Sequence, residues 1–549
     1  MSKSRLLAVL LFVAFVSFSI MWGQRTPARP KLVLVLSIDQ MRFDYLTRFG
    51  PLFTGGLRTL LERGAVFSNA KYRHSATETG PGHSVILTGR HPSHSGIVAN
   101  EWYDAYLQRA VNVVEDPVQS PVGGEGRRAS PANALSFTVG DVLKSTSPQS
   151  HVVGVSFKDR SAILMGGRRA DAAYWYETAG GNFITSTYYM NDAPVWLVNW
   201  NNRHMANQYA GKQWTRLLPD ESIYERYAGK DAIEGEWDRK DIVFPHKIRG
   251  NPPQPDFYDD LRRTPFADEI TLSFALEAMK AYHLGEDSYT DIFAIGFSAT
   301  DVIGHTYGPD SQEVMDQLLR LDVVIGQLFK EIDSRVGLDH TWIILTADHG
   351  SMPLVEVLQA KGIDARRVSP NVVERAVNAA LEKRYPGVRN LIAYFMTDIY
   401  LNEDVIRTNK LDRREVEDTA VSALLSTGVV ERVYTDADLM SSLPSADPFL
   451  QLFRNSFYQP RSPQLNVLLK EHVYLDPRVG GTGHGTAYEY DRHVPIVFMG
   501  AGVRAGNYDS ECGPEDIAPT LAGMLGLTLP RESDSRILTE MLATAATGY

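Results

Sequence analysis

The sequence predicts an α/β fold: an α/β/α sandwich on a mostly parallel central sheet, with cap-like insertions. Two observations carry that expectation. The first is a set of continuous apolar runs of strand length: "LVLVLSID" (Leu32–Asp39), "HVVGVSF" (His151–Phe157), "DIFAIGFSATD" (Asp291–Asp301), "TWIILTADHG" (Thr341–Gly350) and "VPIVFMG" (Val494–Gly500). Runs without polar alternation belong to strands buried on both faces, as in parallel sheets. The second is the helical period between them. Val314, Leu318, Leu321, Ile325 and Leu328 fall along one face of "EVMDQLLRLDVVIGQLFKEID", and "ADEITLSFALEAMKAYHLG" behaves alike up to a predicted C-cap at Gly285. Alternating strands and helices define such a sandwich. With 549 residues, 44% of them hydrophobic, the chain can bury a core of that size.

At the N-terminus, Lys3 and Arg5 precede an apolar segment from Leu6 to about Ile20. Residues 1–24 read as a secretory signal peptide, which once cleaved leaves no stable membrane insertion. A retained anchor is the alternative, since the segment nearly reaches spanning length and "MWGQ" is a poor cleavage site. The only thiol, Cys512, has no partner for an intramolecular disulfide, so an exported fold stands without staples. Bacterial periplasm or the medium is the expected location. A net charge of −11 argues against a nucleic-acid partner, but a small anionic substrate responds to the local field of a cleft.

After the linker "RTPARPK", a catalytic domain is expected over residues 31–549, interrupted by two blocks. Residues about 172–262 hold five of the eight tryptophans: Trp175, Trp196, Trp200, Trp214 and Trp237. Residues about 355–478 read helix, strand, helix, strand through "NVVERAVNAALEKRY", "LIAYFMTDIYL", "REVEDTAVSALLSTG" and "VVERVYTDADL". Both are read as insertions forming a cap beside the main sheet.

The polar residues at the strand ends point to chemistry. Asp39 follows "LVLVLSI", Asp301 and His305 follow "IFAIGFSAT", and Asp348 and His349 follow "WIILTA". In a doubly wound sheet, ligands bind beyond the carboxyl ends of the strands. Three carboxylates at one edge repel and are costly to desolvate without cations. With His484 in "GGTGHGT", three Asp and three His make mixed oxygen and nitrogen sites that suit Zn²⁺, with Mn²⁺ as the competing ion. Lys158 and Arg160 in "SFKDRSAILMGG" are expected on one side of a strand end, by period two, as positive charge for a phosphate dianion. Thr79 precedes "GPGHSVIL" and lies at a predicted helix N-terminus, where Pro is tolerated and the dipole favours an anion. A coordinated cation stabilises an alkoxide as it does a bound hydroxide, which makes Thr79 the candidate nucleophile.

The set Asp39, Thr79 in "TGPGH", Asn100 in "ANEWYD", Lys158, Arg160, Asp301, His305, Asp348, His349 and His484 resembles the alkaline phosphatase superfamily, and within it the PafA-type phosphomonoesterases. The resemblance runs from about Lys31 to the C-terminus. It implies two Zn²⁺ per chain, one held by Asp301, His305 and His484, the other by Asp39, Asp348 and His349 with Thr79. It also implies that Asn100, Lys158 and Arg160 hold the phosphoryl oxygens, the two cationic side chains replacing a third metal ion. The implied reaction cleaves small phosphate monoesters through a phosphothreonine, in a protein expected to be monomeric. His83, His91, His94 and His493 match no ligand position and are read as structural.

The nearest alternative is a two-zinc phosphodiesterase of the nucleotide pyrophosphatase type. A sulfatase requires a C/S-x-P-x-R motif where this chain has "TGPGH". A phosphoglycerate mutase-like Mn²⁺ enzyme is disfavoured by the signal segment and the threonine. A non-catalytic metal- or ligand-binding surface protein is the alternative from a different class.

Overall fold

The computed structural model describes residues 29–237, 241–478, 480–530 and 534–543, and the signal segment lies outside them. Strand β1 (Leu32–Ile38) is buried along its whole length. Leu32, Leu34, Leu36 and Ile38 face one apolar core, and Val33 and Val35 face a second on the other side of the sheet. A strand with a core on each face takes apolar side chains on both, Ser37 being the one polar exception, which is why its sequence shows no alternation.

In chain order the other strands of this sheet are β2 (Ala65–Phe67), β3 (Pro121–Val122), β4 (Val152–Ser156), β5 (Ala172–Tyr176), β6 (Phe183–Ser186), β7 (Asp291–Phe297), β8 (Thr341–Thr346), β9 (Ile496–Met499) and β10 (Gly506–Tyr508). Their spatial order is β10-β2-β9-β8-β1-β7-β4-β5-β6-β3. The central block β8-β1-β7-β4-β5 is parallel throughout. Antiparallel β9 joins β8 to β2, and β6 and β3 extend the far edge antiparallel.

Helices cover both faces. Those that frame the strand ends and the two cores are α1 (Thr79–Thr88), α2 (Asp159–Gly166), α3 (Phe266–Ala281), α4 (Ala299–Tyr307), α5 (Gln312–Arg335) and α6 (Ile517–Leu525). Helices α3 and α5 pack into the first core; Ile86 and Leu87 of α1 and Ile517, Leu521 and Leu525 of α6 pack into the second. The predicted face of α5, Val314 through Leu328, lies in the first core, and Ser311 caps its start by accepting from the Val314 amide. Helix α3 ends at Ala281, before the predicted stop; Gly285 takes a left-handed φ of 74° in the turn after it.

The aromatic block begins inside the sheet, since β5 and β6 are its first strands. Farther on it is tied to α5 by Arg216 to Gln312, by His246 to Glu313 and, most densely, by one carboxylate. Asp316, fully buried, accepts from Trp214 Nε1 (2.6 Å), the Leu217 amide (2.6 Å), Arg320 Nε (2.6 Å) and the Tyr224 hydroxyl.

Residues 370–474 build a smaller unit with its own core. Strands Ile392–Phe395, Ile399–Leu401, Leu465–Leu469 and Val430–Thr435 form an antiparallel sheet under helices Pro370–Arg384 and Arg413–Ser426. The segment "LIAYFMTDIYL", read from sequence as one strand, folds as a hairpin with its turn at residues 396–398. Tyr394 and Tyr400 of this hairpin pack on Tyr103, ring centroids 5.5 and 5.6 Å apart, close in sequence to Asn100.

Asp316→Ala leaves buried donors and a half-buried guanidinium without their acceptor, a class of loss worth about 3–5 kcal/mol. We expect a lower urea midpoint for the transition followed by tryptophan fluorescence, with Asp316→Asn intermediate.

Candidate active site

Sheet register brings three carboxylates to one edge. Ile38 pairs with Phe297, and Ser37 pairs with both Gly296 and Thr346, so β1, β7 and β8 end at the same level. Asp39 follows its strand directly and Asp348 one residue later, and Asp301 sits in the first turn of α4 with His305 one turn on. All three aspartates are buried.

The three histidines share one construction. Nδ1 of His305 bonds the Thr482 carbonyl (2.7 Å), Nδ1 of His349 the Gly350 carbonyl (2.9 Å), and Nδ1 of His484 the Thr77 carbonyl (2.8 Å). A carbonyl only accepts, so Nδ1 carries the proton and Nε2 presents a bare lone pair. Each Nε2 faces a carboxylate: His305 to Asp301 Oδ1 at 3.2 Å, His484 to the same oxygen at 3.7 Å, His349 to Asp39 Oδ1 at 3.5 Å and to Asp348 Oδ2 at 3.4 Å. Burial beside His349 and His305 holds His484 well below the ordinary histidine range, hence neutral.

This donor set fits divalent cations. Ligand atoms of Asp301, His305 and His484 lie within 4.8 Å of one another, as do those of Asp39, Asp301 and His349. Asp301 thus stands between the two groups, and Asp348 flanks the second. Asp39 Oδ1, Asp348 Oδ2 and His349 Nε2 are buried without hydrogen-bond partners, which is costly unless a cation satisfies them. Burial, then the Asp348 carboxylate, pushes Asp39 well above the usual carboxylate range. Burial opposes charge at Asp301 too, yet the Lys158 ammonium holds it well below that range.

Thr79 opens α1 and is almost fully buried. Glu78 before it is extended and its side chain does not cap the helix, and the Thr79 hydroxyl faces Lys158 and Arg160. Asn100 Oδ1 accepts from the Gly80 amide (2.7 Å), and the Asn100 amide donates to Glu78 Oε2 (2.7 Å). Lys158 Nζ is 3.4 Å and Arg160 Nη2 3.3 Å from Thr79 Oγ1. Lys158 Nζ also lies 2.6 Å from both Asp39 Oδ2 and Asp301 Oδ2. Burial pulls this lysine down, but Asp301 and Asp39 outweigh it and hold its ammonium above the ordinary range.

One reading from sequence needs correction. Lys158 and Arg160 do not share a strand face: β4 ends at Ser156, Lys158 precedes α2, and Arg160 lies in its first turn. They converge by helix geometry, not by period two. His83, read as structural, lies one turn along α1 with Nδ1 2.9 Å from the Thr79 carbonyl and 3.2 Å from Asp348 Oδ2. Of the others, His94 pairs with Asp534 and His493 with the Ser68 carbonyl, and His91 belongs to neither ligand group. Sequence reasoning also passed over Gln40 and Glu78, each directly beside a site residue; adjacency was the one available signal.

Fold and site together define a class, the type I phosphodiesterase / nucleotide pyrophosphatase family, whose model matches residues 33–488. Within it the chain belongs with the PafA-type alkaline phosphatases. It is 33% identical to alkaline phosphatase PafA of Elizabethkingia meningoseptica over 539 residues, covering 95% of this chain and 96% of that one. It is 34% identical to alkaline phosphatase PhoV of Synechococcus elongatus over 526 residues, 94% of each. A crystal structure of wild-type PafA superposes with a TM-score of 0.87 at 32% identity, over 94% of this chain and 99% of that one.

Gly82 packs so closely on the end of β8 that a Cβ there runs into the Asp348 carbonyl. Gly82→Ala therefore displaces Asp348. Metal analysis of the purified variant is expected to find less bound divalent cation than in the native chain, with far-ultraviolet circular dichroism unchanged.

Proposed function

We propose that this protein is a metal-dependent alkaline phosphatase that hydrolyses phosphate monoesters to an alcohol and inorganic phosphate. The observation that carries the reading is the convergence of Lys158 and Arg160 on Thr79 Oγ1, beside the aspartate and histidine cluster. The near full-length likeness to PafA and PhoV, both alkaline phosphatases, supports it.

Asp301, His305 and His484 would hold one cation and Asp39, Asp348 and His349 the other, with Thr79 beside the second; the donor types favour Zn²⁺. Two such ions supply charge for an ionised threonine oxygen and for the departing oxygen of the ester. The remaining work falls to the chain. Lys158 and Arg160 favour the ionised hydroxyl of Thr79, which attacks phosphorus in line. The Oγ1–P bond forms as the bond from phosphorus to the ester oxygen breaks, and the alcohol leaves with a proton from solvent. Asn100, Lys158 and Arg160 bind the non-bridging oxygens, matching a dianion with two positive charges. Water then attacks the phosphothreonine, releasing inorganic phosphate and restoring Thr79. The transition state is loose, so positioning and charge carry most of the acceleration.

The N-terminal segment assigns the protein to export, with the work done in the periplasm or the medium. Among the described residues no helix is long and apolar enough to cross a membrane.

A diester replaces one charged oxygen with an organic group, so it draws less on Lys158 and Arg160. We expect Lys158→Ala/Arg160→Ala to lower kcat/KM for p-nitrophenyl phosphate by at least 10²–10³-fold, the cost of lost preorganised donors in comparable sites. A matched diester should lose far less, and equal losses would overturn the monoesterase reading. Acid quenching during turnover of a phosphorus-labelled monoester is expected to leave label on Thr79, and none in Thr79→Ala.

A further inference from the structure

Gln40 sits at the end of β1, immediately after Asp39, with a φ of 64° and no exposed surface. The left-handed region is sparsely occupied by residues other than glycine, asparagine and aspartate, and glutamine has no local hydrogen bond to favour it. The turn sends the two donors of this one residue in different directions. Its backbone amide donates to Asp348 Oδ1 (3.1 Å), beyond β8. Its side-chain Nε2 donates to Asp301 Oδ1 (2.8 Å), in α4 beyond β7. The other side-chain atom, Oε1, is buried without a partner and lies where a Cβ on Gly304 would collide with it.

A strained backbone and an unmet amide oxygen in one buried residue persist only where the surroundings over-determine them. The amide cannot turn over, because its oxygen would then face the Asp301 carboxylate. Asp301 is pinned on both sides, Oδ2 by Lys158 at 2.6 Å and Oδ1 by Gln40, with Oδ1 also the oxygen nearest His305 and His484. Asp348 Oδ1 takes both the Gln40 amide and the His349 amide (3.0 Å), which turns Oδ2 toward His83 Nδ1 and His349 Nε2.

We propose that Gln40 is a positioning residue that yokes the two cation-binding groups, and that the missing side chain at Gly304 is the space its amide requires. The proposal rests on the reading of two cation sites. Gln40 touches neither ester nor phosphoryl group; it fixes the rotation of one carboxylate from each group and so sets how tightly both hold their ions. Partners behind a ligand commonly change metal affinity by about 10–100-fold.

The test uses metal-loaded full-length protein challenged with a chromogenic chelator, reading ion release alongside thermal melting. Gln40→Gly accepts the left-handed backbone and keeps the amide that holds Asp348, but loses the grip on Asp301. It is expected to release metal about tenfold faster or more, with the far-ultraviolet circular dichroism unchanged. Gln40→Glu sets a carboxylate against Asp301 and is expected to release faster still. Gly304→Ala, which evicts the amide, is expected to behave like Gln40→Gly. Added to Gln40→Gly, it is expected to speed release no further and to raise the melting temperature, because alanine is then simply the better helix residue. Native release rates in Gln40→Gly would overturn the proposal, as would a full additional effect of Gly304→Ala in that background. Ion release is read without turnover, so a native chain that holds its ions but cleaves no monoester overturns the functional reading alone.

Discussion

Three buried carboxylates crowded at the ends of three adjacent parallel strands are the constraint around which this molecule is arranged. Asp39, Asp301 and Asp348 are each at most 4% exposed, in a region where unpaired charge is far costlier than at a surface. Positive charge and lone pairs therefore have to be brought from elsewhere in the chain. The ammonium of Lys158 lies between two of the carboxylates, and three imidazoles, each turned by a backbone carbonyl, present bare nitrogens to them. The same electrostatic demand that makes the fold expensive without cations makes the site selective for an anionic group that arrives with them in place.

Much of this was legible in the sequence because buried parallel strands write themselves as unbroken apolar runs, and the residues just past each run fall at one sheet edge. Asp39, Asp301 and Asp348 were placed by that logic alone. Features that depend on a turn were harder to read. Lys158 and Arg160 look like alternate strand positions until the chain turns into a helix between Ser156 and Asp159. The hairpin at residues 396–398 interrupts an apolar segment that carries no glycine or proline. Gln40 gave no signal because glutamine does not advertise a left-handed backbone. His83 was set aside as structural because it matches no ligand position, although one helical turn from Thr79 is close enough to reach Asp348.

The parts outside the sandwich are fastened to it by different means. The aromatic block shares the sheet and the first core, and Asp316 gathers its indole, phenol and backbone donors with the guanidinium of Arg320. The smaller unit has its own core and meets the main body through tyrosines packed near the Asn100 segment. The first attachment is apolar as well as polar, and the second lies close in sequence to Asn100.

Helix α1 supplies a consequence for how the site is assembled. Its first turn has no capping side chain of its own, and the amide of Gly80 is satisfied by Asn100, twenty residues downstream. The helix that carries Thr79 is thus finished from outside, by a segment that must already be seated. Loss of the Asn100 acceptor therefore leaves a helix-start amide unmet right beside the Thr79 hydroxyl.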